Sequence, residues 1–499
     1  MIDVFDVLAI PMVFVVLSLL TILILKAIRK WLPEKDKLLR TAWLAIVFAI
    51  CSIAVANLSM KYFNVEPILP FLNVKLSVPG SLLFSSSFLV DALSIYIIII
   101  FMGIGAIVSF YSALETRTEG RVTDRYFALM ILVLGCLMGA VLAGDLLTLF
   151  IFWEAASAGS AFLMLYQKTS RSIHATLKFM VMIIIGSSFI VYGLSLLFSI
   201  TGTLNYWEVK TVLVAFDDKA LLLVAFAFIA GGYAIEAAIV PFHLWLPDVY
   251  TEASASSSAF LSGLVDQGSY YILLRVLIYI LTPTIVINWT TTLAIFSLLT
   301  MIVGNLRALL EKNIKRLVAY VCIADVGYNL IAISSMTSIG MMANLYFFLV
   351  GGISTAMAFM TVGIFNKMGL KTIDDFNGVG RVAPWTSLGL TLGLLSFAGI
   401  PPLAGFIAKY LLFTSAIEGS IGWLAVAGVT VSVIQAAYLF RLMNRMYGRT
   451  PSKEIQFKET RWSLIPIFAF AIVLIILGIF PTLALNLIQP VVQELPLMP

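Results

Sequence analysis

The chain has 499 residues, of which 61% are hydrophobic and only 11% are charged. A soluble globular protein carries about 25% charged residues, so this chain cannot cover a water-facing surface and is predicted to reside in lipid. Three isolated cysteines (Cys51, Cys136, Cys322), two histidines and the absence of GxxxxGK[ST] and GxGxxG motifs give no means of hydrolysing ATP or carrying electrons. We therefore expect no cofactor and no bound metal in this chain.

Hydropathy divides the chain into fourteen candidate membrane spans, since a span needs about 20 apolar residues. The first apolar run, residues 7–25, lacks a preceding basic residue and a following cleavage site, and is predicted to be a retained span. Alternating residues within 58–87 predict a short external hairpin. The spans are predicted to begin near Phe5, Arg40, Phe88, Arg125, Asp145, Ser172, Lys219, Ala255, Thr284, Asn313, Met341, Pro384, Ile421 and Trp462.

The distribution of Lys and Arg predicts the orientation of these spans. The loops on one side carry 24 basic residues and those on the other side carry five. Because basic loops stay in the cytoplasm, we predict a multi-pass protein of the cell membrane with both termini on the outer side. The net charge of +5 thus reports topology and not nucleic-acid binding.

Two spans are interrupted by proline in corresponding places. The seventh contains Pro241 and Pro247, and the twelfth contains Pro401 and Pro402. Matching breaks predict two inverted five-helix repeats, spans 4–8 and 9–13, and broken helices of this kind usually line a polar cavity. Two ordinary proline kinks are the alternative. The predicted divisions are 1–124 (spans 1–3 with the hairpin), 125–282 (first repeat), 283–447 (second, inverted repeat) and 448–499 (span 14).

Ionisable residues inside apolar spans are the candidate functional groups, because each costs roughly 2.5–3.5 kcal/mol at a helix centre. Carboxylates with interspersed lysines suit a relay for H⁺ or Na⁺. Capping of a helix is the alternative for Asp91 and Asp145, capping of exposed carbonyls for His243, and snorkelling for Lys178. Arg275 is interpreted as an interface anchor. The predicted ion-translocation residues are Asp145, Glu154, Lys178, Glu236, His243, Asp266, Asp325 and Lys409.

Four segments resemble the antiporter-like subunits of respiratory complex I and of Mrp-type cation/proton antiporters, a family that includes subunits of membrane-bound hydrogenases. The similarity extends from about residue 90 to 413 and implies the same fourteen-helix fold with two inverted repeats. The segments are DLLTLFIFWEAAS (145–157), IVPFHLWLPDVYTEASASSSAFLSGLV (239–265), NIKRLVAYVCIADVGYNL (313–330) and GIPPLAGFIAKYLLF (399–413).

The resemblance implies that Glu154, Lys178 and Lys409 belong to a polar axis along the membrane midplane. The chain departs from the family elsewhere on this axis. Glu236 stands where the family has a lysine, and Gln267, beside Asp266, stands where it has another.

Two further departures concern spans 10 and 11. Asp325 lies where members of the family more often carry histidine, serine or glutamine. The span-11 histidine or lysine has no counterpart, and only Ser354 and Thr355 are polar there. The axis is therefore poorer in bases and richer in acids.

Two close acids, Glu154 and Glu236, favour either a shared proton or a hard cation such as Na⁺. We expect an H⁺- or Na⁺-translocating subunit of a larger membrane complex, of the hydrogenase or sulfur-reductase type or of an Mrp-type antiporter. Expected partners are other membrane subunits, small Mrp-like subunits, redox subunits carrying iron–sulfur clusters, and lipid. The alternatives are a standalone secondary transporter and a pump-inactive structural subunit.

Overall fold

The structure is a computed structural model that describes residues 4–31, 36–62, 87–115, 121–216, 218–281, 288–450, 459 and 461–495. Within these ranges it is helical, with isolated β-bridges and no strand. Most of the predicted external hairpin lies outside the described residues.

Twenty α-helices follow one another along the described parts of the chain. Helices α1–α10 are Val4–Trp31, Asp36–Tyr62, Ala92–Glu115, Arg121–Val141, Leu146–Met164, Ser170–Thr201, Tyr206–Val214, Lys219–Glu236, Leu246–Glu252 and Ala255–Phe260. Helices α11–α20 are Asp266–Leu274, Thr290–Leu310, Ile314–Ser335, Ser338–Lys367, Val379–Val382, Pro384–Ala398, Ala404–Glu418, Gly422–Gly448, Arg461–Ile479 and Thr482–Glu494.

Twelve helices among the described residues are long and apolar enough to cross a membrane: α1–α6, α8, α12–α14, α18 and α19. Their positions match twelve of the predicted spans. The predicted eighth span corresponds to a consecutive helical run made of α10, a π-helix (Leu261–Val265), α11 and a second π-helix (Arg275–Ile280). The predicted twelfth span corresponds to the two shorter helices α16 and α17.

Both predicted breaks are present. In the seventh span the helix ends at Glu236, Ala238 has a φ of 52°, and the Val240–Pro241 peptide is cis. Pro247, in contrast to the prediction, does not interrupt a helix. It lies in the first turn of α9, where a missing backbone N–H costs nothing because that group has no intrahelical partner.

In the twelfth span, α16 ends at Ala398 and is capped by Gly399, whose φ of 72° is readily adopted only by glycine. The Pro401–Pro402 peptide that follows is cis, and α17 begins at Ala404.

The sequence does not predict two short helices that the structure contains. Asn205 caps α7 by accepting a hydrogen bond from the Trp207 amide, a start signal that the hydropathy of the loop conceals. Helix α20 follows α19 after Phe480 and Pro481, where hydropathy predicts that span 14 continues to about residue 485. It packs against α14 and leaves Leu483 and Leu487 exposed.

The chain divides into two compact units that are not consecutive in sequence. Unit 1 comprises Met1–Tyr166, Ile183–Tyr233 and Gly268–Ile287, and unit 2 comprises Gln167–Met182, Ala234–Gln267 and Asn288–Pro499. In unit 1, α4 packs between α1 and α5, and α2 packs on α1 and α3.

In unit 2, α13 and α14 are buried along nearly their whole length. Helices α12 and α13 approach so closely that a Cβ on Gly304 would lie 2.6 Å from the Ala324 nitrogen, and one on Gly327 would lie 2.5 Å from the Met301 nitrogen. Helix α14 also contacts α10, α16, α17 and α19. This core positions the buried polar groups described below.

Candidate ion-translocation site

Lys409 lies in a buried polar cluster of unit 2. It is the sixth residue of α17 and only 5% exposed. Its ammonium donates to Gln435 Oε1 at 2.5 Å and to Ser432 Oγ at 3.5 Å, and it lies 4.3 Å from the centroid of the Tyr328 ring. Oxygens and an aromatic face are the groups that stabilise a desolvated cation.

Asp325 supplies the negative charge of this cluster. It lies on α13, is 6% exposed, and interacts electrostatically with Lys409 and through its side chain with Gln435. A buried ammonium and a buried carboxylate offset part of each other's desolvation cost. We call Asp325, Tyr328, Lys409, Ser432 and Gln435 the Lys409 cluster.

The break before α17 determines how Lys409 enters the cluster. A Cβ added at Gly399 would lie 3.0 Å from Lys409 Cδ, so the lysine stem packs directly on the glycine that ends α16. The broken span therefore does more than interrupt a helix, because it brings the lysine stem against the backbone of the helix end.

Further hydroxyl and amide groups continue from the cluster. Ser432 Oγ donates to Tyr328 Oη at 2.9 Å, and Tyr438 Oη donates to Asn305 Oδ1 at 3.1 Å. The side chain of Tyr328 also interacts with that of Asn305, so these groups from α12, α13 and α18 form a connected file within unit 2.

Asp266 is a second buried carboxylate of unit 2. It begins α11, is 8% exposed, and its side chain is hydrogen-bonded by Tyr250. The thiol of Cys322 lies close enough to both Asp266 and Asp325 to interact electrostatically with each. The neighbouring Gln267 is buried and faces Gly351, where an added Cβ would lie 3.7 Å from Gln267 Nε2.

Glu236 and His243 flank the break of the seventh span, and both are buried. Backbone groups freed by the break find side-chain partners. The Val240 amide donates to Thr300 Oγ1 at 3.2 Å, and Trp245 Nε1 donates to the Ile235 carbonyl at 3.1 Å. Such partners are what makes a broken helix tolerable at membrane depth.

Lys178 belongs to unit 2 but is not part of the Lys409 cluster. Its ammonium donates to Asp248 Oδ2 at 2.7 Å, and Asp248 Oδ1 lies 3.0 Å from Arg316 Nη2. These three side chains line a cavity of about 310 Å³.

The two predicted residues of unit 1 have different environments. Glu154 is half-buried on α5 and accepts a hydrogen bond of 2.7 Å from Ser187 Oγ. Asp145 caps α5 by accepting from the Thr148 amide at 2.7 Å, and also accepts from the Ser87 amide at 2.8 Å. Asp145 thus has the geometry of a helix cap, and its role in ion translocation stays a prediction.

The interpretation of Arg275 as an interface anchor is wrong. Arg275 is fully buried in unit 1, donating to both carboxylate oxygens of Asp91 at 2.5 and 3.0 Å and to Ser94 Oγ at 2.9 Å. Asp91 also accepts from the Ser94 amide, the contact expected from the alternative in which Asp91 caps a helix. An arginine inside one apolar span and an aspartate near the start of another are the signal that could have predicted this pair.

Lys315 is a buried lysine that the sequence does not single out. It is 4% exposed, and its ammonium donates to the carbonyls of Thr251, at 3.2 Å, and Ala253, which lie at the end of α9. A cation is favourable at a helix carboxyl end, so Lys315 holds α9 in place.

No group of three or more His, Cys, Asp or Glu side chains is arranged to hold a metal ion among the described residues. The polar groups described above are instead pairs and files of single ionisable residues.

The family described as NADH:quinone oxidoreductase/Mrp antiporter, TM, matches residues 143–435 of the chain. NADH-quinone oxidoreductase subunit N of Coxiella burnetii is 31% identical over 80% of this chain and 84% of its own length. Subunit N of Moorella thermoacetica is 30% identical over 79% of this chain and 83% of its own.

Solved structures show the same fold. A chain of the membrane-bound sulfane sulfur reductase, an archaeal respiratory membrane complex, is 26% identical with a TM-score of 0.84, over 97% of both chains. A chain of the Mrp complex from Dietzia sp. has a TM-score of 0.78 at 21% identity, also over 97% of both. A chain of respiratory complex I from Thermus thermophilus has a TM-score of 0.74 at 23% identity, over 95% of this chain and 98% of its own.

Proposed function

Because the chain belongs to the NADH:quinone oxidoreductase/Mrp antiporter transmembrane family, we propose that it moves H⁺ or Na⁺ as an integral subunit of a larger membrane complex. Its relatives and structural neighbours are subunits of NADH-quinone oxidoreductase, of an Mrp complex and of a sulfane sulfur reductase. The chain itself is a multi-pass membrane protein of this class.

The Lys409 cluster is the observation that carries the proposal. A lysine and an aspartate are held together in the buried part of unit 2, with an amide and hydroxyls around them. The affinity of each group for its ion depends on the charge of the other, so a proton or cation arriving at one alters the other. That coupling is what a relay needs and what a merely structural ion pair does not use.

Replacement of Lys409 tests this function. We expect Lys409→Met, in the intact complex reconstituted into vesicles, to lower ion transport about tenfold or more, because the ammonium is lost while most of the stem remains. Tyr410→Phe on the exposed side of the same helix is the matched control and should transport normally. Normal transport by assembled Lys409→Met would instead favour a pump-inactive structural subunit, an alternative that Glu236 in place of the family lysine also favours.

We infer fourteen spans arranged as two inverted five-helix repeats. The twelve long helices, the helical run 255–280 and the α16–α17 pair together support that number. The proposed repeats are residues 125–282 and 283–447, preceded by an N-terminal part (1–124) and followed by a last part (448–499). The breaks after Glu236 and after Ala398 fall in the fourth span of each repeat. The bias of basic residues supports termini on the outer side.

The parent complex is proposed to be of the sulfur-reductase or hydrogenase type. The chain of an archaeal sulfane sulfur reductase supports this choice, because its TM-score of 0.84 and identity of 26% exceed the 0.78 and 21% of the Mrp chain. Purification of the tagged chain in mild detergent tests it. We expect redox subunits with iron–sulfur clusters together with small Mrp-like membrane subunits. Recovery of membrane subunits alone would indicate an antiporter, and a stable monomer that binds a metabolite would indicate a standalone transporter.

A further inference from the structure

One cavity of unit 2 contains charged side chains that the Lys409 cluster does not use. It has a volume of about 310 Å³ and is lined on one side by the first turns of α6 and on the other by Asp248, Glu252 and Arg316. The side chains of Lys178, Asp248 and Arg316 are 44%, 30% and 37% exposed. All three side chains are therefore partly exposed at the surface of this chain.

Asp248 is shared between two cations in this cavity. One carboxylate oxygen forms an ion pair with the Lys178 ammonium at 2.7 Å, and the other forms an ion pair with the Arg316 guanidinium at 3.0 Å. Arg316 has a second carboxylate within reach, because its Nε lies 3.4 Å from Glu311 Oε2. Lys178 thus pairs with Asp248, whereas Arg316 contacts both Asp248 and Glu311.

The two contacts compete for one negative charge. A planar guanidinium binds carboxylates in a fixed geometry, whereas an ammonium on a four-carbon stem is a mobile point charge. In the structure Arg316 contacts both Asp248 and Glu311. A shift of Arg316 towards Glu311 would leave more of the Asp248 charge to Lys178, and a two-nitrogen contact of Arg316 with Asp248 would leave less.

We propose that Asp248 is a positioning residue that holds the Lys178 ammonium in this cavity, in competition with Arg316, and that this exchange sets how fast Lys178 passes ions onward. The carboxylate does not itself carry the transported ion. Its role in transport rests on the proposed function, whereas its hold on Lys178 does not.

The hold on Lys178 is measured by labelling. The intact complex is treated briefly with a water-soluble amine-reactive ester, and modification of Lys178 is followed by mass spectrometry, since a paired ammonium must leave its partner before it reacts. We expect Asp248→Asn to raise the rate on the order of fivefold and Arg316→Gln to lower it severalfold. Arg171→Gln removes a charge from the same cavity wall and should change the rate less than twofold. An unchanged rate in Asp248→Asn, or a faster one in Arg316→Gln, would overturn the assignment.

Transport by the same variants tests the consequence. We expect Asp248→Asn to slow transport about fivefold and Asp248→Glu, which keeps the charge, to retain at least half of the rate. Altered labelling with unaltered transport would remove Asp248 from the transport path. If Lys409→Met transports normally, the proposed function fails, and the labelling still decides whether Asp248 positions Lys178.

Discussion

Glu154 receives a hydrogen bond from Ser187 Oγ while the rest of its carboxylate remains partly accessible within unit 1. A mid-span carboxylate with a single hydroxyl donor can exchange a proton or cation more readily than one fixed by an arginine. The sequence predicts a role for Glu154 from its depth in an apolar run. It does not predict Ser187, because 33 residues separate the two and nothing in a serine's local sequence indicates its partner.

Replacing these two residues separately and together tests whether they act as a unit. We expect Glu154→Gln to abolish most transport and Ser187→Ala to lower it about two- to fivefold, the loss of one hydrogen bond to a charged group. The double variant should be no worse than Glu154→Gln alone, because Ser187 acts only through the carboxylate. Additive losses, measured as ion uptake into vesicles, would show that Ser187 has a separate role.

The pair of Arg275 and Asp91 leads to a prediction about stability. Breaking a buried pair by removing one partner leaves an uncompensated charge, so Arg275→Leu should destabilise the protein by about 3–5 kcal/mol. Adding Asp91→Leu should restore part of the loss. The midpoint of thermal unfolding in detergent measures the stability of the single and the double variant. If Arg275→Leu were as stable as the unchanged protein, the Arg275 side chain would have to be accessible to water.

At the scale of elements, helix breaks and close helix contacts position the charged groups. The spans themselves could be predicted, since apolar length is a local property. The short helices α7 and α20 could not, because neither is long enough to span and each forms where packing favours it.

Glycines between α12 and α13 provide the test at this scale. A Cβ at Gly327 would overlap backbone atoms of α12 that cannot move without separating the helices. We therefore expect Gly327→Ala to lower the free energy of unfolding by about 1–3 kcal/mol. Gly103→Ala on α3 is the matched control, because no atom outside its own helix backbone lies within 4 Å of the added Cβ. Its unfolding midpoint should stay level or rise, as alanine favours helix more than glycine does. Equal midpoints for the two variants would mean that α12 and α13 pack less closely.

At the scale of the whole molecule, the balance of acids and bases bears on which ion moves. The axis is richer in acids than the family pattern. Glu236 stands in place of a lysine, Asp325 stands in place of histidine, serine or glutamine, and Asp266 lies beside Gln267. Hard cations prefer oxygen ligands. We therefore predict that transport depends on Na⁺.

Vesicles that contain the intact complex and no Na⁺ should move ions several times more slowly than vesicles with Na⁺. K⁺ at equal ionic strength is the control for screening of surface charge. Undiminished transport without Na⁺ would leave H⁺ alone as the transported ion.

The sequence by itself determined that the chain is a membrane protein, at which residues most of its spans begin and at which residues two of them break. It also determined that the charges inside the spans are energetically costly and need partners or a function. These are properties of composition and of short stretches of chain, and hydropathy and proline act locally. Only the tertiary structure decided which charge meets which partner. Lys178 meets Asp248, Arg275 meets Asp91, and Lys409 meets Gln435 beside Asp325. Those pairings join residues 26 to 184 positions apart, and they depend on how helices pack, which no single segment encodes.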